Sequence, residues 1–254
     1  MAINHRKYYA LAAESSKQIG EHPGLLYLQR IASQSARILD VGCGEGSRLS
    51  TLLPSGSSGW GVDIDPYAIN LAQRQYPRHH FRVYTGKNLP YKSNTFDLVY
   101  SAFVLEHTQS PAMFLDEMVR VCQPGGNIVI LCPNFGAPNR RSPNSIQNPV
   151  IKLIRSFIGD FFATSISSWK KVQSKSVYDQ PDDDTTVEPY LLSLTRYFKD
   201  RGLTIVQVSS LWELETPSLN PRKIFIKLLG QLGIFPFKYW GPQVFVSAKK
   251  RVSD

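Results

Sequence analysis

The chain has 254 residues, of which 42% are hydrophobic and 19% are charged. This length favours one large domain or two small ones, and the composition excludes a disordered, collagen-like or low-complexity protein. The three cysteines, Cys43, Cys122 and Cys132, are too few for a disulfide framework and form no CxxC pair. We therefore expect a protein of the reducing cytosol with no structural metal site.

Positive charge is concentrated in the second half of the chain. The net charge is +9; residues 1–134 carry twelve basic and ten acidic side chains, whereas residues 135–254 carry seventeen and ten. The first fifteen residues show no apolar core typical of a secretory signal, and nowhere do about 18 apolar residues follow one another as a spanning helix requires. We expect a cytoplasmic protein whose basic half can face an anionic partner.

Short apolar runs alternate with helical patterns, which is typical of a parallel α/β sheet covered by helices. The predicted strands are Arg37–Val41, Gly59–Asp63, His80–Tyr84, Phe96–Ser101, Asn127–Cys132, Leu203–Val208 and Gln243–Ala248. The predicted helices cover about 5–19, 23–34 and 189–201, with others after Gly46 and from Pro66 and Pro111. The pattern predicts an α/β fold with a seven-stranded, mostly parallel, doubly wound sheet.

Two long segments interrupt this alternation, at residues 135–188 and 218–241. Both are basic and aromatic and too long for plain connections, so we interpret them as substrate-side insertions in a single domain spanning residues 1–254. Pro149–Lys171 has apolar residues at helical spacing flanked by Lys152 and Arg155, and Arg222–Trp240 has four basic residues and no acidic one. A lid helix, a subunit interface and a peripheral contact with the inner membrane face all suit such segments.

The strongest chemical signal is a glycine-rich loop, Gly42–Gly46, between a buried strand and a helix. Its glycines let the backbone turn sharply and approach a ligand, and the helix start offers unpaired N–H groups to an anionic group. Asp63 ends the second predicted strand, seventeen residues beyond Gly46. A carboxylate there can accept hydrogen bonds from both hydroxyls of a ribose. The spacing predicts an adenosine-containing cofactor and leaves its identity open.

Further landmarks follow this loop in order. They are GVDIDPYAINLA at Gly61–Ala72, Leu89-Pro90 with FDLV from Phe96, VLEH from Val104, EMVRV from Glu117, and Pro124-Gly125-Gly126. Together with ILDVGCGEG they resemble the successive motifs of the class I S-adenosylmethionine-dependent methyltransferases, in particular the group that acts on small molecules. The resemblance covers about residues 26–134. It implies a Rossmann-like methyltransferase fold, S-adenosyl-L-methionine as the cofactor and methyl transfer as the activity.

The resemblance also implies contacts with the methionine part of the cofactor. Asp40 is expected to hold the amino group through water, and the backbone at Ser101 is expected to complete the amino-group contacts. The loop backbone is expected to face the rest of the methionine part, through Gly42, Cys43, Gly44 and Gly46.

For the adenosine part, the resemblance assigns the ribose hydroxyls to Asp63 and the adenine face to Ile64. The family often has an Asp after the third strand that binds the adenine amino group. This chain has Thr85 and Gly86 in that loop. We therefore expect the backbone there to supply the contact instead.

His107 follows the fourth predicted strand and is the candidate catalytic residue. As a general base it would remove the proton of a hydroxyl acceptor; as a polar cap it would only orient the loop. The expected acceptor is a small molecule, with anionic and lipid-linked acceptors as candidates and O-methylation favoured. Arg140 and Arg141 follow the fifth strand, where open α/β sheets place their ligands, and could line the acceptor entrance.

Two other functions stay open at this point. A non-catalytic cofactor-binding regulator would keep the glycine-rich loop, and an RNA methyltransferase could use the basic second half electrostatically. No RNA-binding module is recognisable in the sequence, so nucleic acid is not the expected partner. Self-association of the chain is compatible with every one of these functions.

Overall fold

The computed structural model describes residues 19–162, 169–173 and 184–252. The helix predicted at about 5–19 lies outside the described residues except for Ile19, and so does the stretch 163–168 of the predicted segment Pro149–Lys171. The chain divides into two compact units. Unit 1 comprises Met1–Val104, Ser110–Val129 and Lys249–Asp254, and unit 2 comprises Leu105–Gln109 and Ile130–Ala248.

Unit 1 alternates strands and helices. Its elements are α1 (Pro23–Ala32), β1 (Ile38–Val41), α2 (Ser47–Leu52), β2 (Trp60–Asp63), α3 (Pro66–Gln75), β3 (His80–Val83), β4 (Phe96–Ala102), α4 (Pro111–Val121) and the first part of β5 (Cys122–Pro133). Helices α1, α3 and α4 each begin with a proline at the first helical position, where the missing N–H costs no hydrogen bond. The Asp65 carboxylate caps α3 by accepting the Tyr67 N–H at 2.9 Å.

Unit 2 contains the end of β5 and both long segments. Its helices are α5 (Pro149–Phe162), α6 (Leu191–Asp200) and α7 (Pro221–Gln231), and its further strands are β6 (Thr204–Ser209) and β7 (Gln243–Lys249). Short 3-10 turns lie at Leu105–His107, Trp212–Leu214 and Phe237–Tyr239. None of the helices in the described part of the chain is long and apolar enough to cross a membrane.

The strands form a seven-stranded sheet, as predicted, and their order in it is β3-β2-β1-β4-β5-β7-β6. β1 pairs in parallel with both β2 and β4, and β2 pairs in parallel with β3. The hydrogen bonds from Gly125 N to Lys250 O and from Asn134 N to Pro242 O make β7 antiparallel to β5. From β1 the chain adds β2 and β3 on one side of the sheet, and it then continues with β4 and β5 on the other side. Open α/β sheets bind their ligands outside the carboxyl ends of the two strands at such a switch point, here β1 and β4.

The fifth strand is longer than predicted. It begins at Cys122 instead of Asn127, so Pro124-Gly125-Gly126 is part of the strand and not a turn before it. Gly125 has φ +78° and its N–H donates to Lys250 O at 2.8 Å, while Lys250 N donates to Gly126 O at 3.0 Å. The glycines thus let the strand bend while residues at the end of the chain supply its backbone partners.

Helix α5 exposes its apolar side chains and buries two charged ones. Lys152, which the sequence places beside the apolar side, is 2% exposed, and Asp160 is 3% exposed. Lys152 Nζ donates to Phe135 O at 2.5 Å and to Glu188 Oε2 at 3.0 Å. The Asp160 carboxylate accepts from Tyr190 Oη at 2.7 Å. The helix can bury its charged side because each charge finds partners within unit 2.

Candidate functional site

The loop after β1 has a backbone that requires glycine. Gly42, Gly44 and Gly46 have φ values of +84°, +53° and +83°, which L-amino acids with a side chain rarely adopt. A Cβ built on Gly42 would lie 2.4 Å from Val104 Cγ2, and one on Gly46 would lie 2.6 Å from Phe81 Cζ. One side of the loop is therefore closely packed against other residues of unit 1, and this packing fixes the direction of the backbone N–H groups of the loop.

Asp40, at the third position of β1, is fully buried. Its Oδ2 accepts a hydrogen bond from Tyr100 Oη at 2.8 Å, whereas its Oδ1 is buried with no hydrogen-bond partner among the residues that the structure describes. Burial raises the pKa of Asp40 to about 7, and the nearby Arg48 guanidinium and the Tyr100 hydrogen bond lower it only in part. A buried carboxylate oxygen without a donor is suited to a cationic or N–H-bearing ligand group, directly or through water.

Ser101 and Arg48 complete the polar groups at the end of β4. The Ser101 hydroxyl is buried and has no hydrogen-bond partner in the described part of the chain. Arg48 Nη1 donates to Ala102 O at 2.9 Å, and its guanidinium lies 5.4 Å from the centroid of the Phe103 ring. Neither Arg48 nor Tyr100 was predicted from the sequence. Their only signal was position, since α2 and β4 flank β1 in any sheet of this order.

Asp63, at the end of β2, is held by backbone N–H groups. Its Oδ2 accepts from Gly44 N at 2.9 Å and its Oδ1 from Asp65 N at 3.0 Å. Burial raises the pKa of Asp63, and these backbone hydrogen bonds oppose the shift. Each carboxylate oxygen can accept a second hydrogen bond, so the residue keeps capacity for two ligand hydroxyls. The bond to Gly44 also fixes Asp63 against the glycine-rich loop.

The residues expected around an adenine lie next to Asp63. Ile64 is 63% exposed, which is high for a large apolar side chain. A Cβ on Gly86 would lie 3.5 Å from Ile64 Cγ2, so the loop after β3 approaches this side chain. Thr85 is exposed. An apolar side chain beside an open, glycine-containing loop fits the flat face of an aromatic base.

The side chains of Cys43 and Glu45 point away from solvent. Cys43 is 3% exposed, and a Cβ on Gly61 would lie 2.8 Å from its sulfur atom. Burial raises the pKa of the Cys43 thiol well above its ordinary value, which disfavours the reactive thiolate. Glu45, which was not predicted from the sequence, is 4% exposed and accepts a hydrogen bond from Ser47 Oγ. Cys43 can therefore meet a cofactor only through its backbone.

His107, the candidate general base, belongs to unit 2 and ends the 3-10 turn Leu105–His107. Its Nδ1 lies 3.1 Å from Asp184 Oδ1, and its Nε2 lies 3.7 Å from Glu106 Oε1. The side chain is 23% exposed. A carboxylate oxygen therefore lies near each of the two ring nitrogens. The base role itself stays a prediction.

The two arginines after β5 differ in their surroundings. Arg140 forms an ion pair with Glu215, donates through Nε to Trp240 O at 3.0 Å, and places its guanidinium 5.6 Å from the Trp212 ring centroid. Arg141 is exposed and donates to Gln147 O at 3.4 Å. The Arg140 guanidinium thus connects the two long segments, and Arg141 is the better candidate for contact with an acceptor.

Comparison with known proteins agrees with this geometry. Residues 39–130 match the family described as methyltransferase domain. The chain is 37% identical over 101 residues to norajmaline N-methyltransferase of Rauvolfia serpentina, covering 37% of this chain and 35% of that protein. It is 30% identical over 153 residues to the chloroplastic tocopherol O-methyltransferase of Arabidopsis thaliana, covering 56% of this chain and 44% of that protein. The chain therefore spans less than half of these curated relatives.

Solved structures share the fold over nearly the whole chain. A chain of the complex between the Haloferax volcanii Trm112 methyltransferase activator and a methyltransferase superposes with a TM-score of 0.59 and 16% identity, covering 98% of both chains. An S-adenosylmethionine-dependent methyltransferase from Mesorhizobium loti gives 0.59 and 16%, covering 91% of this chain and 100% of that one. At these identities the similarity concerns the fold alone.

The family match, the shared fold and the geometry of the site agree with the resemblance of the sequence to the class I S-adenosylmethionine-dependent methyltransferases. Residues 39–130, which match the methyltransferase-domain family, contain the glycine-rich loop and Asp63. S-adenosylmethionine is the cofactor of that class, and the residues present fit it. The buried Asp40 oxygen lacks a donor, and Asp63 retains two acceptor positions.

Proposed function

We propose that the protein transfers a methyl group from S-adenosylmethionine to a small-molecule acceptor, with a hydroxyl oxygen as the favoured acceptor atom. The observation that carries the proposal is the pair of carboxylates at the ends of β1 and β2, Asp40 with an unpartnered buried oxygen and Asp63 with two remaining acceptor positions. The names of the relatives support a small acceptor, since they include norajmaline, tocopherol and demethylmenaquinone.

The chain's own residues bind and orient the reactants. Asp40 accepts from the amino group of the cofactor, Asp63 accepts from the ribose hydroxyls, and Ile64 packs against the adenine. Bound S-adenosylmethionine supplies an electrophilic methyl group on a sulfonium. Because no large charge has to be created at the protein, most of the acceleration comes from positioning, which can contribute about 7–11 kcal/mol.

A hydroxyl acceptor must also lose its proton. A carboxylate oxygen lies near each ring nitrogen of His107, Asp184 Oδ1 at 3.1 Å from Nδ1 and Glu106 Oε1 at 3.7 Å from Nε2. For a hydroxyl acceptor, we propose His107 as the group that takes the proton. An amine acceptor that is already neutral, or a carboxylate, would need no such base.

A panel of acceptors tests the proposal. Purified protein and S-adenosylmethionine are incubated with alcohols and phenols, amines, carboxylates and thiols, in anionic and neutral forms, and the release of S-adenosylhomocysteine is measured. The proposal expects turnover with at least one hydroxyl compound, reduced about 10²–10⁴-fold by His107→Gln with unchanged cofactor affinity. The control is His80→Gln, at an exposed histidine on β3.

The panel also separates the alternatives. Tight cofactor binding without product from any class would favour a non-catalytic regulator. Turnover that His107→Gln leaves unchanged would remove the general base and with it the preference for oxygen. Methylation of RNA in preference to all small compounds would overturn the assignment of the acceptor class.

A further inference from the structure

Unit 2 exposes many large apolar side chains on two segments, which we call the apolar face. On α5 they are between 38% and 78% exposed: Val150, Ile151, Ile154, Phe157, Ile158, Phe161 and Phe162. Those around α7 are between 41% and 98% exposed: Leu219, Ile224, Phe225, Leu228, Leu232, Ile234 and Phe235. Contiguous exposed apolar surface of this kind marks an interaction site in a folded protein.

Both helices are fixed in this orientation by contacts on their opposite sides. The buried residues of α5 are Lys152 and Asp160, and the Asp160 carboxylate accepts from Trp240 Nε1 at 2.9 Å. On α7 the buried residue is Gly230, where a Cβ would lie 2.1 Å from Trp212 Nε1. Rotating either helix to hide its apolar side would expose these packed contacts and break the buried hydrogen bonds. The apolar face is therefore a stable feature of unit 2.

Aromatic contacts link the two segments. The ring centroids of Phe161 and Phe235 are 5.2 Å apart at an interplanar angle of 89°, and those of Phe157 and Phe237 are 6.3 Å apart. These aromatic contacts join the exposed side of α5 to the chain that follows α7. A partner that covers the exposed side of α5 therefore lies beside Phe235 as well.

The exposed charged side chains on these segments are all basic. Arg155, Arg222, Lys223 and Lys238 are exposed. The described ranges 144–162 and 219–241 contain one acidic residue, Asp160, and it is buried. An apolar surface that carries aromatic side chains and is bordered by basic ones is complementary to an anionic lipid headgroup layer, where apolar groups reach the acyl boundary and cations meet phosphates.

We propose that the apolar face docks the protein on the surface of an anionic phospholipid bilayer. A second copy of the chain is the less suitable occupant, because a two-fold contact places the same patch on both partners and would bring together basic side chains without acidic ones. The docking surface is independent of methyl transfer and requires neither cofactor nor acceptor.

Vesicle flotation tests the proposal with the full chain. Vesicles of phosphatidylcholine alone are compared with vesicles containing a third phosphatidylglycerol, at about 0.05 M and about 0.5 M salt, since salt screens exposed charge. We expect binding to the anionic vesicles at low salt and clearly weaker binding at high salt. Arg222→Gln with Lys223→Gln should weaken binding about fivefold for each charge removed.

A second pair of substitutions tests the contribution of the apolar side chains to vesicle binding. Ile158→Ser with Phe225→Ser should weaken binding about tenfold or more, because both side chains would leave the lipid boundary. Both lie at exposed positions, so folding is retained. The matched controls are Val206→Ser, at an exposed apolar residue of β6, and Lys199→Gln with Lys249→Gln, which removes the same net charge elsewhere. These controls should bind like the unaltered protein.

Three results would overturn the proposal. The first is no binding to anionic vesicles at low salt. The second is equal loss of binding in the control variants, which would indicate general charge attraction only. The third is a concentration-dependent dimer in light scattering that Ile158→Ser abolishes, together with no vesicle binding, which would assign the apolar face to a second copy.

Discussion

Replacing Asp40 with asparagine should change the pH dependence of stability of the cofactor-free protein. The pKa of Asp40 is about 7 in the folded chain and 3.8 without the fold. The folded protein therefore binds this proton more tightly, and the contribution to stability is most favourable below pH 3.8 and declines as the pH rises towards 7. Asparagine keeps the size of the side chain and an oxygen for the Tyr100 hydroxyl but has no proton to lose.

The magnitude follows from the two pKa values. Between about pH 5 and about pH 8 the penalty for ionising buried Asp40 grows by about 2–3 kcal/mol. For a chain of this size that corresponds to a relative change in melting temperature of about 5–10 °C. Asp40→Asn should gain stability over the unaltered protein by this amount as the pH rises, although it should bind the cofactor less tightly.

Denaturant unfolding of both proteins without cofactor, at the two pH values, measures this difference. Asp200→Asn makes the same chemical change at an exposed position and should leave the pH dependence unaltered. If Asp40→Asn and the unaltered protein show the same change in unfolding free energy between the two pH values, Asp40 is not a desolvated carboxylate and the site lacks the feature that we assign to it.

Two further substitutions test the packing inside each unit. Gly42→Ala should destabilise the protein by about 1–3 kcal/mol in thermal unfolding, because its φ is +84° and its Cβ would collide with Val104. Adding Val104→Ala to this variant should recover only the part of the loss that is due to the collision. Full recovery of stability would refute the argument from the backbone conformation. Glu188→Ala should lower the free energy of unfolding by about 3–5 kcal/mol, because it leaves the Lys152 ammonium buried without its carboxylate. Glu213→Ala, at an exposed position, should change it by less than about 0.5 kcal/mol. An equal effect of both substitutions would show that the buried ion pair is not needed for stability.

Much of unit 1 could be predicted from the sequence because its signals are local. The strand before Gly42 is a continuous apolar run, as parallel strands covered on both sides require, and glycines at alternate positions permit the positive φ values that the structure shows. Asp63 was predicted from its place at a strand end, and it does lie against the loop through Gly44.

The features that were not predicted depend on contacts between residues that are distant in sequence. Tyr100 meets Asp40 because β4 pairs directly with β1, a register that no local pattern encodes. On α5 the helical period identifies the apolar side correctly but cannot say which side faces the protein. Partners such as Glu188 and Tyr190 make the charged side the buried one, and they lie beyond the segment itself.

Calorimetric titration with S-adenosylmethionine and S-adenosylhomocysteine tests the central claim most directly. We expect both to bind, NAD to leave their binding unchanged, and Asp63→Ala to weaken the affinity by at least about 1 kcal/mol, since two ribose hydroxyls lose their acceptor. Asp200→Asn should bind with unaltered affinity. Failure of both compounds to bind the unaltered protein, or affinity unaffected by Asp63→Ala, would contradict the assignment of this site.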